Sequence, residues 1–225
     1  MDGLLLIDKP AGITSHDVVD RVRRIAKTRR VGHAGTLDPF ATGLLIVGIN
    51  KGTKMLTGLV GLDKTYEATA CLGMTSTTDD PEGDIASRVG AQFIAPRRDE
   101  IESAFNRFRG GYDQTTPAFS AKKVGGKKLY ELARQGKADT VILPVKHVTI
   151  SELDITSYDW PNLSFRVSCG SGTYIRALAR DIGEMLGCGA YLTALRRTTI
   201  GSYAIKQAIA LDTLTEEKIH QSLFS

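Results

Sequence analysis

The chain has 225 residues, 42% apolar and 24% charged, a composition that suits one large or two small globular domains and excludes a disordered or fibrous chain. Its formal net charge of +4 is only mildly basic, so nucleic-acid contact has to come from local patches rather than a polycationic tail. Cys71, Cys169 and Cys188 are odd in number and lack CxxC spacing, which speaks against a disulfide framework and a structural zinc site.

In chain order, Leu4 to Ile7 reads as a short buried strand, too short for a signal peptide, and Asp8-Lys9-Pro10-Ala11-Gly12 breaks it. Thr14 or Ser15 is placed to cap a helix with Asp17 in its first turn. Val18, Val22, Ile25 and Ala26 share one face of that helix. Arg21, Arg24 and Lys27 lie on other faces, and Arg29 and Arg30 follow. Such charges usually make a solvated face, but their position before the next stretch suits phosphate contact.

That stretch, Arg29 to Gly43, organises the rest. It carries one acid, Asp38, among glycines and small residues, and the next acid downstream is Asp63. Pro39 pushes Asp38 out of the helical region, and three glycines permit turns and close approach of a ligand. By itself Asp-Pro is a common turn pair.

Leu44 to Ile49 is apolar on both faces, hence a central strand. Lys51 to Leu59 reads as a short helix, and Lys64 to Leu72 alternates as a strand. Met74 to Gly83 reads as a polar, solvated loop. Its run Asp79-Asp80-Pro81-Glu82-Gly83-Asp84 fails as a calcium loop, because neither register closes on the required glutamate. Pro96 is placed to open a helix with Ile101, Ala104, Phe105 and Phe108 buried, stopped at Gly110-Gly111. Tyr112 to Lys128 has no obvious strand. Its lysines at 122, 123, 127 and 128, mixed with glycines, Phe119 and Tyr130, suit a groove for an RNA backbone. A helix with Leu129, Leu132 and Ala133 on one face follows. Val141 to Ile150, Ser151 to Tyr158 and Leu163 to Cys169 read as three strands. Thr173 is placed to cap a helix whose core face is Ile175, Leu178, Ala179, Ile182 and Leu186. Cys188 to Arg197 then leads into a strand near Ile200 to Ile205, and Leu211 to Leu223 closes as a helix. No run approaches the roughly 18 apolar residues of a membrane span.

The run Gly32-His33-Ala34-Gly35-Thr36-Leu37-Asp38-Pro39-Phe40-Ala41-Thr42-Gly43-Leu44-Leu45 resembles the active-site motif of the TruB-type tRNA pseudouridine-55 synthases. Lys64-Thr65-Tyr66, Gly172-Thr173-Tyr174-Ile175-Arg176 and Leu195-Arg196-Arg197 are similar to three further motifs of that family, in the same order. Lys9 to Ser15 resembles its opening, and Lys127-Lys128-Leu129-Tyr130-Glu131 its RNA-gripping insertion. The resemblance covers nearly the whole chain.

It implies an α+β pseudouridine synthase fold: a mixed, mostly antiparallel central sheet flanked by helices, with an active-site cleft across the sheet. It implies one catalytic domain over residues 1–225, with a basic RNA-gripping insertion at about 112–137 and no C-terminal PUA domain. The implied reaction isomerises the T-loop uridine of tRNA (position 55), flipped out of its stack, to pseudouridine. Asp38 is the implied catalytic acid, and His33, Tyr66, Tyr174, Arg176 and Leu195 the implied substrate-binding residues. Arg176 is the candidate to keep Asp38 ionised, and Tyr66 the candidate to stack on the base. No cofactor and no metal are implied. The expected partner is the T-arm of tRNA, with no membrane, for a cytoplasmic monomer. The alternatives are a non-catalytic tRNA-binding or folding factor of the same fold, or a synthase for another RNA.

Overall fold

A computed structural model of the chain describes residues 1–90, 92–120, 122–136 and 140–224. Backbone contacts divide the chain into two compact units: Met1–Glu67 with Ala194–Ser225 (unit 1), and Ala68–Thr193 (unit 2).

The chain begins in unit 1 with β1 (Gly3–Lys9), α1 (Ser15–Ile25), β2 (Val31–Ala34), β3 (Thr42–Ile49), a 3-10 turn at Asn50–Lys54, α2 (Leu56–Val60) and the start of β4 (Lys64–Leu72). Unit 2 adds β5 (Met74–Ser76), β6 (Ile85–Ser87), α3 (Arg98–Asn106), β7 (Tyr112–Thr115), β8 (Lys123–Val124), β9 (Lys127–Lys128), α4 (Leu129–Arg134), β10 (Val145–Val148), β11 (Ile150–Asp159), β12 (Asn162–Cys169) and α5 (Ile175–Met185). The chain returns to unit 1 along β13 (Ala190–Ile200) and ends with β14 (Tyr203–Ala204), β15 (Ile209–Ala210) and α6 (Glu216–Gln221). The fold is α+β with mixed strand pairing, as expected.

In unit 1 the strand order is β13-β3-β1-β15, with β2 also on β3 and β14 on β13. β1 and β3 pair antiparallel, Leu5 opposite Val47 and Ile7 opposite Leu45. β15 joins β1 in parallel, and β13 joins β3 in parallel. Side chains alternate along a strand. Leu5, Ile7, Leu45, Val47 and Ile49 therefore pack with Val18, Val19 and Val22 of α1 and Ile219 of α6. Leu4, Leu6, Leu44 and Ile46 fall on the other face with Leu56 of α2. Covering both faces explains why these strands are apolar throughout. Each fully buried Leu, Ile or Val contributes about 1.5–3 kcal/mol.

Thr14 caps α1: its hydroxyl accepts from the Asp17 N–H, and the Asp17 carboxylate accepts from the Thr14 N–H. Ser15, the other candidate, is buried and used elsewhere.

In unit 2 the order is β11-β12-β4-β13. Phe105 of α3 meets Phe165 of β12 edge to face, with ring centroids 5.8 Å apart. Several expectations for this unit need correction. Met74 to Gly83 is not one solvated loop: β5 pairs antiparallel with β6. Residues 112 to 128 contain β7, paired with β10, and the short hairpin β8–β9. Gly125 and Gly126 turn that hairpin with φ of +57° and +82°, the two left-handed positions that a tight hairpin turn requires. Thr173 does not cap α5; its hydroxyl bonds back to the Gly170 carbonyl at 2.8 Å, and Tyr174 holds the cap position. In unit 1 the expected strand near 200–205 begins earlier, as β13. Two- to four-residue strands carry too little alternation to be read from sequence. Ala121 and Lys137 of the expected insertion lie outside the described residues.

Gly43 has φ +101°, and a Cβ there would stand 2.3 Å from the Arg197 carbonyl oxygen. Both partners are backbone in a paired strand, so neither can swing away. Gly43→Ala is expected to destabilise the protein by about 3 kcal/mol or more in urea unfolding, summing left-handed strain and overpacking.

Candidate active site

The glycine-rich motif is built on β2, which pairs antiparallel with β3 and sets His33 opposite Val47. Gly32 lets β2 lie close to α2: a Cβ there would approach Leu56 Cδ1 to 3.2 Å. The chain then leaves the sheet through Gly35, φ +79°, and runs through Asp38 to Ala41. Leu37 and Ala41 are buried, and Asp38 is half-buried between them.

Three side chains pin this loop by its backbone. Lys9, fully buried, donates its ammonium to the carbonyls of Pro39 (3.1 Å), Ala41 (2.6 Å) and Pro10 (2.9 Å). Arg197, 1% exposed, donates Nη2 to the Gly35 carbonyl (2.9 Å) and Nε to the Leu44 carbonyl (2.8 Å). Ser15 Oγ accepts from the Leu37 N–H (2.9 Å) and donates to the Leu37 carbonyl (3.2 Å). Backbone bonds add to this: Gly12 N–H to the Pro39 carbonyl, and Ala41 N–H to the Asp38 carbonyl. Asp38 is thus flanked on both sides by carbonyls committed to buried donors. Lys9, Ser15 and Arg197 are not among the expected site residues, although each stands in a stretch similar to a family motif.

Unit 1 also places Tyr66 on β4, Leu195 on β13 and His33 on β2. Tyr66 and Leu195 are each 7% exposed. The Leu195 carbonyl accepts from Thr42 Oγ1 at 3.4 Å. Arg196 grips Asp8 with both nitrogens, at 3.1 and 2.7 Å. Lys64 is buried, its ammonium bonded to the carbonyls of Val60 and Leu62. His33 Nδ1 is buried with no hydrogen-bond partner among the described residues. Protonation there would add a positive charge in a half-buried site already facing the Arg197 guanidinium. Burial first, then Arg197 and His16, hold the His33 pKa below its usual value.

In unit 2, Tyr174 and Arg176 stand at the start of α5. Arg176 is 3% exposed; its Nη1 lies 3.3 Å from Asp80 Oδ2 and its Nη2 donates to the Phe119 carbonyl at 2.9 Å. Asp80, also 3% exposed, takes the Thr78 hydroxyl (2.5 Å) and the Glu82 N–H (3.0 Å) on its other oxygen. The acidic run 79–84 is therefore not merely solvated: Asp80 is the buried partner of Arg176. Asp79, with φ +60°, pairs with Arg180 at 3.1 Å. Burial raises the Asp79 pKa, and the Arg180 and Arg176 guanidinium groups oppose that rise. Breaking a buried pair such as Asp80–Arg176 costs about 3–5 kcal/mol because a charge is left uncompensated. The sequence signal for Asp80 was an acid two residues before another in a polar run, which by itself does not distinguish a buried acid from an exposed one.

The basic residues divide. Lys27 pairs with Glu216 at 2.8 Å, and Arg23 with Asp20 at 2.8 Å. Arg24, Arg29 and Arg30 are exposed, as are Lys122, Lys123 and Lys127. Lys128 Nζ sits 5.4 Å from the Tyr130 ring centroid. Cys71, Cys169 and Cys188 are free and buried. Among the described residues no cluster of His, Cys, Asp and Glu is disposed to hold a metal ion, and no helix is long and apolar enough to cross a membrane.

Comparison with known proteins shows the family. Residues 23–175 match the TruB family pseudouridylate synthase N-terminal domain, and residues 176–223 match the tRNA pseudouridylate synthase B C-terminal domain. The chain belongs to the TruB family of pseudouridylate synthases. It is 49% identical to the tRNA pseudouridine synthase B of Mycobacterium sp. (strain KMS), over 96% of this chain and 72% of that protein. It is 50% identical to the tRNA pseudouridine synthase B of Thermobifida fusca (strain YX), over 96% and 75%. Among solved structures it is similar to a chain of a Cbf5-Nop10-Gar1 complex, with TM-score 0.72, 28% identity, and coverage of 96% of this chain and 54% of that one. A chain of an H/ACA RNP bound to a substrate RNA containing 2'-deoxyuridine gives TM-score 0.71 and 27% identity, covering 96% and 53%. The chain spans about half the length of these two structural relatives.

The depressed His33 pKa has a sign. Above the unfolded value of 6.5 the ring is neutral in both states and contributes no pH dependence. Below it the unfolded chain takes up a proton that the folded protein resists, so stability falls as pH drops through and below 6.5. Urea unfolding from about pH 7 to about pH 5 is expected to show a steeper loss in the wild type than in His33→Gln, whose side chain does not titrate.

Proposed function

We propose that this chain isomerises the T-loop uridine of tRNA, position 55, to pseudouridine, with Asp38 as the catalytic carboxylate. The observation that carries the reading is the Asp38 loop, tied down at the Gly35, Leu37, Pro39 and Ala41 carbonyls by Arg197, Ser15 and Lys9. A loop so restrained holds one carboxylate in a fixed place, as a reaction needing a single ionised acid requires. The identity of about 50% with proteins named tRNA pseudouridine synthase B supports tRNA as the substrate.

The net change is an isomerisation. The bond from uracil N1 to the sugar breaks, the ring turns, ring carbon C5 bonds to the same sugar carbon, and the C5 proton leaves as N1 gains one. Substrate and product have the same atoms and oxidation level. Asp38 acts as an anion, either by adding to the uracil ring or by supporting the sugar carbon as the glycosidic bond opens. Extruding a stacked base costs a few kcal/mol. Tyr66 recovers about 1–3 kcal/mol of that by stacking on the uracil. His33, kept neutral by its surroundings, occupies the stack that the base vacates or meets a neighbouring phosphate. Tyr174, Arg176 and Leu195 bind the substrate nucleotide. The exposed Arg24, Arg29, Arg30, Lys122, Lys123 and Lys127 contact phosphates, so affinity falls steeply with salt.

The test is incubation with an unmodified tRNA transcript, followed by mapping of pseudouridine. The wild type is expected to form it at position 55. Asp38→Asn is expected to lose at least about a thousandfold in turnover while keeping tRNA affinity within about threefold, because it removes a group used in the chemical step. Tight binding without product in the wild type would instead identify a non-catalytic factor. Product at another position would give the enzyme a different RNA target.

A further inference from the structure

Gln114 lies on β7 and is 2% exposed, a long polar side chain taken almost wholly out of water. Its carboxamide meets both backbone groups of Tyr174: Nε2 donates to the Tyr174 carbonyl at 3.0 Å, and Oε1 accepts from the Tyr174 N–H at 2.8 Å. The second Nε2 proton goes to the Tyr112 hydroxyl at 2.6 Å, which donates in turn to Asp181 Oδ2 at 2.9 Å. Burial first, then Asp181, push the Tyr112 pKa far up, so this hydroxyl stays protonated and the chain of bonds stays complete. Arg180 closes the network, with Nε on Asp181 Oδ1 (2.9 Å), Nη1 on Asp79 (3.1 Å) and Nη2 on the Thr115 carbonyl (3.3 Å).

This matters because of what Tyr174 is. It is the N-cap of α5, extended at φ −97° and ψ 110°, and it makes no side-chain cap hydrogen bond. Helix starts usually depend on such a cap for their unpaired N–H groups and their entry angle. Here the entry is set from another strand, by one glutamine that pairs with Tyr174 as a neighbouring strand would. Arg176 follows two residues later, already turned toward Phe119 and Asp80.

We propose that Gln114 is a positioning residue for the reaction: its carboxamide clamps the Tyr174 backbone and thereby fixes the directions in which Tyr174 and Arg176 project. The inference rests on the reading of those two as substrate-binding residues. Gln114→Met keeps length and volume but leaves the Tyr174 N–H and carbonyl without their buried partner. Gln114→Glu offers a sharper comparison. A neutral carboxylic acid has one donor and one acceptor on adjacent oxygens, so it reproduces the clamp; a carboxylate has no donor and sets an anion against the Tyr174 carbonyl. The charged and titratable groups facing it are Tyr112 on its own strand, Asp181 and Arg180 on α5, and Lys146 opposite it on β10, whose ammonium is bonded to the Ser171 carbonyl at 2.9 Å. Buried among these, the glutamate is expected to be protonated as pH falls.

The experiment compares wild type, Gln114→Met, Gln114→Glu and Arg176→Ala in single-turnover pseudouridine formation on a tRNA transcript, with tRNA affinity and thermal melting recorded alongside. Gln114→Met is expected to lose at least about tenfold in rate with affinity within about threefold, the pattern of a misplaced group rather than lost binding. Gln114→Glu is expected to be slow near about pH 8 and to recover relative to wild type toward about pH 6. Gln114→Met within about twofold of wild type overturns the inference, as does a Gln114→Glu defect that is the same at every pH and tracks melting alone. An active wild type with an impaired Arg176→Ala and a normal Gln114→Met sinks only the clamp. A wild type that forms no pseudouridine sinks the functional reading and the clamp's role with it.

Discussion

Buried positive charge held by peptide carbonyls is the constraint on which the Asp38 loop depends. Taking an ammonium or guanidinium out of water costs several kcal/mol even after relaxation. Lys9 and Arg197 are both essentially inaccessible, and both donate to carbonyls of the loop or its flanks. The loop therefore cannot move away without leaving a charge in an apolar interior. Carbonyl oxygens also carry no net charge, so these cations hold the loop by its backbone and leave the Asp38 side chain out of these bonds. Gly35 and Gly43 follow from the same arrangement: a Cβ on the first would touch Arg197 Nη1 at 3.4 Å, and one on the second would strike the Arg197 backbone.

Unit 2 answers a different need with a different device. Its buried arginines meet carboxylates, Arg176 on Asp80 and Arg180 on Asp79 and Asp181. Such pairs add little net stability over apolar packing, but they specify geometry, because removing either partner strands the other. The first turn of α5 is thereby fixed by side chains from β7 and from the loop after β5. The contrast with Lys51–Asp2 is instructive. That pair is 3.3 Å apart but exposed, and exposed pairs contribute about 0–1 kcal/mol.

Much of this was legible in the sequence, for physical reasons. The apolar runs of β1 and β3 mark strands covered on both faces, and the alternation from Lys64 to Leu72 marks β4. The Thr14–Asp17 spacing marks the start of α1. What stayed hidden are groups whose role contradicts their type. Lys9, Arg197 and Asp80 look like solvated charges until their partners are known, and those partners are backbone atoms or residues far along the chain. Gln114 stands in a strand of four residues, too short to show a period, and it acts on the Tyr174 backbone, 60 positions along the chain, rather than on a side chain.

Amide hydrogen exchange across residues 35–43, in the wild type and in Arg197→Met, measures this constraint most directly. The account predicts that the Leu37 and Ala41 amides, bonded in the wild type to Ser15 Oγ and the Asp38 carbonyl, exchange at least about tenfold faster in the variant while β1 amides keep their protection. Unchanged exchange at Leu37 and Ala41 would contradict it, since the loop would then keep its shape without the buried guanidinium beneath it.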